Sequence, residues 1–486
     1  MLKKWAAVTL SVSLALSLAA CGGQQGASSG SAGSQAGDTQ ASSGGEVSAD
    51  EGDVIKIGLI SMMTGDNPLN GERMNQGVQM AVDEYNAAGG INGKQIELTI
   101  VDDQTLQDMA VTCANKLIGE GVVGIVGPHR STNALAVEAV VKQAGVAAFT
   151  GGTTPQISTL DNDYLFRCRA SDSIFAEAAA AYAKELGCKK LGLFFNNDDF
   201  GTGAEGVIKQ YCADNGMEYV EEGHNTGDKD FTPQVMKMKD AGVDTVIIWT
   251  HDAELAIHAR QIYELGLDVQ VVSSPGVTMQ QVIDMCKAEY IEGWYGVTDY
   301  VSTSDDPTLV AFKENFEKKY EIEPELYAAS YYGGAVALLE GIKAAGTTDR
   351  KAVMEAVKGL KDLKVPVGVI TCDENNDLVH NINVAQNICV TTAVSSIICS
   401  VIGMLIIPLF NISTTMAASI GLKGFSAGVI GGFGYLPGAI LGGLFIGVVE
   451  NLAVVVLPAV YKDIVSFVLL IIFLLVHPSG FLGKKA

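Results

Sequence analysis

From Asp53 onward the apolar positions alternate between two rhythms. Short continuous apolar runs, Ile55–Ile60, Ile96–Val101, Gly124–Val126 and Val146–Phe149, predict strands buried on both faces. Between them, apolar residues recur at helical spacing. Met74, Val78, Ala81, Val82 and Tyr85 give one face to a helix over Glu72–Ala88, which Gly89-Gly90 stops. A second helix runs through Cys113–Ile118, and a third opens at Ser131, which can cap it, and ends at Gly145. Strand alternating with helix predicts a doubly wound α/β unit.

After Arg167–Ser171 the alternation restarts. Lys190–Phe195, Asp244–Trp249 and Val269–Ser273 predict strands, with a helix from Gly203 to Asn215. A strand at Trp294–Val301 and helices at Leu309–Tyr320 and Tyr327–Ala345 follow. The expected architecture is two Rossmann-like lobes whose strand carboxyl edges face a cleft. Repeated crossings between the lobes would form a hinge.

The stretch from Gly124 to Pro155 joins two loops at that edge. One leads into a helix start, where N–H groups are free and the dipole favours an anion. The other, Thr150-Gly151-Gly152-Thr153-Thr154, offers close backbone approach and hydroxyls. Together they suit a carboxylate, and ligands of open α/β sheets bind at this edge. The residues are equally consistent with Ser131 acting only as a cap and the glycines only as turns.

Composition divides the chain. The net charge is -23, which argues against nucleic acid as a partner. Residues 387–486 carry +2 and the remainder -25, so an acidic soluble part precedes a membrane-like tail. Of nine cysteines, six scatter through the soluble part without metal-like spacing and read mainly as small buried hydrophobes. Residues 1–21 read as an export signal, with Lys3-Lys4 ahead of the apolar Trp5–Leu16. Leu18-Ala19-Ala20-Cys21 is similar to a bacterial lipobox, which implies lipidation at Cys21. Residues 22–52 are a Gly/Ser/Ala-rich flexible tether.

Several stretches resemble one family. They are IKIGLISMMTGDNPLNGERMNQGVQMAVDEYNAAGGINGKQIELTIVDDQ, IVGPHRSTNALAVE, FTGGTTPQIS, NNDDFGTG and DENNDLV. Residues 53–386 resemble the solute-binding proteins of branched-chain amino acid ABC transporters, with the periplasmic-binding-protein type I fold. The resemblance implies a first lobe of about 53–170 and 299–358, and a second of 171–298 and 359–386. It implies a small amino-acid ligand, no cofactor, no metal and no catalytic residue. ABC permease subunits and, through them, a cytoplasmic ATPase are the implied partners. Ser131, Gly151, Gly152 and Thr153 correspond to the residues that hold the ligand's α-carboxylate and ammonium. Phe200 corresponds to a tyrosine that packs on the ligand, and Trp249 is expected beside it. Two positions depart from the pattern: Asn70 stands where the family has an aromatic, and Pro275 where it has an ammonium-binding glutamate. Asp252, or else Asp299, is the candidate replacement carboxylate; both also read as solvated loop-end acids. Arg130 and His129 could favour an extra anionic group on the ligand or merely line a rim.

Gly201-Thr202-Gly203-Ala204-Glu205-Gly206 satisfies a dinucleotide-binding spacing, and a dinucleotide-binding enzyme is the alternative function. Against it stand five residues between strand and first glycine, and Asp198-Asp199, which would repel a pyrophosphate. No nucleophile–base pair or zinc-protease spacing supports catalysis elsewhere.

In the tail, residues 388–410 are long and apolar enough to span a bilayer, and Val429–Leu457 and Ile464–Val476 are further apolar stretches. GLKGFSAGVIGGFGYLPGAILGGLFIGVVEN and YKDIVSFVLLIIFLLVHPSGFLG resemble the C-terminal third of the permease of the same transporter class. The joint is expected within His380–Ile388. The expected role of residues 387–486 is a transmembrane α-helical anchor or fusion product; a tethered half-permease is the rival. The binding domain would lie on the extracytoplasmic side of the cell membrane.

Overall fold

The computed structural model describes residues 54–379 and 382–386, together with 426, 430 and 442–449. Its first sheet is built from β1 (Val54–Ser61), β2 (Gln95–Asp102), β3 (Gly124–Val126), β4 (Ala147–Thr150) and β5 (Leu165–Arg167). The order is β2-β1-β3-β4-β5, with every pairing parallel. Helices α1 (Pro68–Ala87), α2 (Gln107–Gly119) and α3 (Ser131–Ala144) make the crossovers. The strands are apolar on both sides because helices cover both faces. Ile60, Ile125 and Ala148 pack with α2 and α3, while Leu59, Val126 and Phe149 face the other way.

Helix α1 starts four residues before the expected Glu72. Pro68 occupies its first turn, where a missing N–H costs nothing. Helix α3 differs from expectation at its cap. Arg130, not Ser131, is the N-cap residue, and it makes no side-chain capping bond. Gly145 ends the helix in the left-handed conformation, as its position implied.

Helix α4 (Asp172–Glu185) opens the second lobe, followed by β6 (Lys190–Asn196), α5 (Asp199–Asn215), β7 (Glu218–His224) and α6 (Thr232–Ala241). Then come β8 (Thr245–Trp249), α7 (Asp252–Glu264), β9 (Gln270–Ser273), the short α8 (Gln280–Met285) and β10 (Tyr295–Thr298). The chain returns through α9 (Pro307–Tyr320), α10 (Leu326–Ala345) and α11 (Arg350–Lys358) to the hairpin β11 (Leu363–Val365) and β12 (Gly368–Ile370). It ends the second sheet with β13 (Asn383–Gln386). That sheet runs β13-β10-β9-β8-β6-β7, and β13 alone is antiparallel.

Helix α10 packs on α1, with the Tyr85 hydroxyl donating to Glu340 at 2.5 Å and the Tyr332 hydroxyl to Glu84 at 2.6 Å. It therefore belongs with the first sheet. The stretch 359–386 is divided. The hairpin β11–β12 lies on α10, and Asp377 pairs with the buried Arg167 of β5, whereas β13 joins the second sheet. The chain thus passes between lobes at 168–171, 299–306 and 371–382. The six described cysteines are free thiols. Among the described residues no helix is long and apolar enough to cross a membrane. The expected spans at 388–410 and 464–476, the signal and Cys21 lie outside the described residues. Of the 429–457 stretch, residues 442–449 are helical, and Ile446 packs with Ile430 and Phe445.

Candidate functional site

The strand ends of the two sheets line a partly open pocket of about 50 Å³. The first lobe supplies His129, Arg130, Ser131, Gly151 and Thr153. The second supplies Phe200, Thr250, His251, Asp252, Ser274, Pro275 and Gly276, and Arg169 and Tyr327 complete the lining. Six of the nine residues expected at a ligand site therefore share one cavity: Ser131, Gly151, Thr153, Phe200, Asp252 and Pro275. Gly152, Trp249 and Asn70 stand behind it. Gly152 packs on Ser131 and Ile157, and Trp249 is fully buried with its ring 6.1 Å from that of Phe200. Asn70 is buried on α1.

On the first-lobe wall the Ser131 hydroxyl oxygen accepts the N–H groups of Thr153 and Thr154, at 3.1 and 3.2 Å. Both lone pairs are then filled, so its proton is free to be donated elsewhere. The neighbouring loop donors are committed within the protein. Gly151 N–H goes to Pro128 and Gly152 N–H to the Thr150 hydroxyl. The Thr153 hydroxyl donates to Asp172 at 2.8 Å, which leaves it able to accept. What this wall offers a negative group is the Ser131 hydroxyl and the uncapped N–H groups of the first turn of α3.

The second-lobe wall carries a carboxylate. Asp252 begins α7 and is almost fully buried. Its Oδ2 accepts the side-chain amides of Asn67 at 2.7 Å and Asn70 at 2.8 Å, both from the first lobe. Its Oδ1 takes no hydrogen bond from the described residues. That oxygen would lie 2.5 Å from a Cβ at position 276, so glycine there lets the carboxylate close over the Pro275-Gly276 turn. Asp252 thus reaches the turn where the expected glutamate is missing. Gln281 adds a further bridge between lobes, donating to Asn67 at 2.5 Å. Asp299 behaves differently. It is ion-paired with Arg169, whose Nε and Nη2 bond its two oxygens at 3.3 and 3.1 Å. Burial opposes the Arg169 charge, but Asp299 holds the guanidinium protonated well above its ordinary range.

Electrostatics around the cavity are nearly balanced. Arg130 is paired with Asp66 at 3.0 Å. His251 lies 2.7 Å from Asp198 and stacks on Phe200. His129 contacts the Tyr331 hydroxyl at 2.8 Å. Burial, with Arg169 and Arg130 nearby, pushes its imidazole well below the ordinary range, so it is neutral at pH 7. Burial pushes the Asp172 carboxyl up to about 7, against the opposing pull of the Thr153 hydroxyl and of Arg167 and Arg169. Arg169, Thr250, His251, Ser274, Gly276 and Tyr327 were not singled out from sequence. The strand-end position of Thr250-His251-Asp252 was the available signal for two of them.

The glycine spacing at 201–206 has another use. Asp198 caps α5 by accepting the Gly201 N–H at 3.0 Å, so a carboxylate already occupies the helix start where a pyrophosphate would sit. A Cβ on Gly201 would fall 2.0 Å from the Asn196 carbonyl, and one on Gly203 would fall 2.5 Å from the Thr154 hydroxyl. These glycines serve close packing of α5 on its strand and on the first lobe.

Known proteins share the sequence and the fold of this chain over the two lobes. A leucine-, isoleucine-, valine-, threonine- and alanine-binding protein of Pseudomonas aeruginosa is 29% identical over 329 residues, covering 67% of this chain and 87% of that protein. The Leu/Ile/Val-binding protein BraC3 of Rhizobium johnstonii is also 29% identical, covering 67% and 89%. Among solved structures, the leucine-binding protein LivK from Thermotoga maritima matches with a TM-score of 0.65 at 26% identity, covering 68% and 95%. LivJ from Streptococcus pneumoniae, in complex with isoleucine, matches with a TM-score of 0.63 at 25% identity, covering 68% and 99%. Residues 370–474 match the permease component of branched-chain amino acid transport systems, overlapping the binding-protein match at 370–388. Residues 54–388 match the periplasmic binding protein family, and the chain belongs to that family, with a permease fragment joined at its C-terminal side.

Proposed function

We propose that this chain is the solute-binding component of an ABC importer and that its ligand is a small α-amino acid. The observation that carries this reading is the opposition of two walls. Ser131 and the start of α3 offer donors to a carboxylate, and Asp252 Oδ1, with its partner oxygen already satisfied, offers an acceptor to an ammonium. A zwitterion bridges them, and its binding favours the closed arrangement because each end belongs to a different lobe. Thr153, Gly151 and Gly152 shape the carboxylate end, Phe200 and Pro275 flank the side chain, and Trp249 backs Phe200. Asn70 acts through Asp252 rather than on the ligand.

The closed form is presented to permease subunits that work with a cytoplasmic ATPase. Lipidation at Cys21 and spans within 387–486 attach the protein to the cell membrane, with the binding domain extracytoplasmic and residues 22–52 as tether. The permease-like fragment supports membrane attachment; the alternative, that it also contributes to a pore, predicts transport by cells carrying only this chain and the ATPase.

Calorimetric titration of the full chain in detergent with the common amino acids tests the reading. At least one should bind, and Ser131→Ala should weaken it by about 10- to 150-fold, the effect of removing a hydrogen bond to a charged group. Absence of heat with every amino acid, or unchanged affinity in the variant, rejects the assignment.

A further inference from the structure

Once a zwitterion has used Ser131 and Asp252, the cavity still holds hydrogen-bonding groups without protein partners among the described residues. The Thr250 hydroxyl is buried and unpartnered, and Thr250 lines the cavity from the end of β8. The Tyr327 hydroxyl makes no hydrogen bond within the described protein, and Tyr327 lines the same space. Arg169 spends Nε and Nη2 on Asp299, and its Nη1 takes no protein acceptor. An aliphatic side chain packed here would leave these groups desolvated and unpaired, which is costly.

Charge narrows the class further. The two arginines are already neutralised, Arg169 by Asp299 and Arg130 by Asp66, so an anionic side chain would find no spare cation. Asp252 is committed to the ammonium.

We propose that this site selects an α-amino acid with a neutral, hydrogen-bonding side chain, hydroxyl or carboxamide, and that Thr250 is the specificity-determining residue. The proposal rests on the amino-acid reading above and adds the side-chain class to it.

The test uses ligand pairs of matched shape, threonine against valine and asparagine against leucine, titrated into the full chain. The polar member of each pair should bind about 10-fold or more tightly. Thr250→Val should shrink the threonine-to-valine ratio about 10-fold by weakening threonine and leaving valine unchanged or improved. Thr250→Ser, which keeps the hydroxyl, should retain the preference, and equal thermal midpoints of the variants exclude a folding defect. Valine or leucine binding as tightly as its polar partner overturns the proposal while leaving the amino-acid reading intact. A ratio unmoved by Thr250→Val overturns the role of Thr250. Failure of every amino acid to bind overturns both readings.

Discussion

The two walls of the cleft are built on different plans. The first-lobe wall comes from one continuous ribbon, Gly124 to Pro155, in which β3, α3 and β4 bring their loops together by the ordinary handedness of a parallel crossover. The second-lobe wall is gathered from three separate loops: Phe200 at the start of α5, Thr250-His251-Asp252 after β8, and Ser274-Pro275-Gly276 after β9. A contiguous wall can be read as chemistry directly from sequence. A gathered wall depends on which loop ends meet, and one substitution can move its chemistry to another loop. Under the ligand placement proposed above, Asp252 is such a case. It stands 23 positions before Pro275 in sequence, yet its carboxylate reaches the Pro275-Gly276 turn because position 276 has no side chain.

The relation between the walls should break hardest at the crossovers. Arg169 lies on the first crossing and Asp299 on the second, both almost fully buried, and their ion pair ties the two connections together. Asp299→Asn leaves a buried guanidinium uncompensated, which should cost about 3–5 kcal/mol. Denaturant unfolding of the variant should show that loss. A cost below about 1 kcal/mol would mean that water reaches Arg169 at the hinge.

A smaller effect separates the support of the first wall from its surface. Asp172 sits behind Thr153, and its carboxyl is raised by burial to about 7 in the folded state, against an ordinary unfolded value near 4. Between those values the folded protein binds more protons than the unfolded one. The stability contributed by this group is therefore fully present below pH 4 and is lost as pH rises through 7. Asp172→Asn removes the titration. The difference in unfolding free energy should shift in the variant's favour between pH 4 and pH 7 and be level above that. A difference that is flat across the range would show that Asp172 ionises normally in place.

Much of the fold was legible because its strands are short apolar runs and its helices end in glycine; Gly145, Gly216 and Gly346 all cap in the left-handed conformation. Elements without those marks were harder to see. β7 is Glu218–His224, largely polar because it is the edge strand of its sheet, and α7 carries Asp252, Glu254, His258 and Gln261 on buried positions. The Trp294–Val301 run overestimates β10, which ends at Thr298 where the chain leaves the sheet for its second crossing. At the site, sequence offered Ser131 both as a helix cap and as a donor to a ligand carboxylate. The structure turns it toward the loop, and no local pattern encodes that choice. Asp252 and Asp299 were indistinguishable as loop-end acids until their partners were known, amides in one case and a guanidinium in the other.

The finest comparison is between contacts that make a wall and contacts that hold two walls together. Asn67 belongs to the second kind. It does not line the cavity, yet it donates to Asp252 and accepts from Gln281, so both its polar ends reach across to the second lobe. Asn67→Ala removes two hydrogen bonds that bridge the lobes, at about 0.5–1.5 kcal/mol each before solvent replaces them. The folded lobes should be as stable as before, because neither bond lies within a lobe. The closed fraction should fall, and apparent affinity falls in proportion to the binding-competent fraction. About a 3- to 10-fold weaker dissociation constant is expected, expressed chiefly as faster ligand release, with an unchanged unfolding midpoint in the absence of ligand. Stopped-flow release kinetics measure this directly. An unchanged release rate would assign the Asn67 bridges to packing within the cleft rim, and the hold between lobes would then rest on the ligand, the Asn70–Asp252 bond and the Arg169–Asp299 pair.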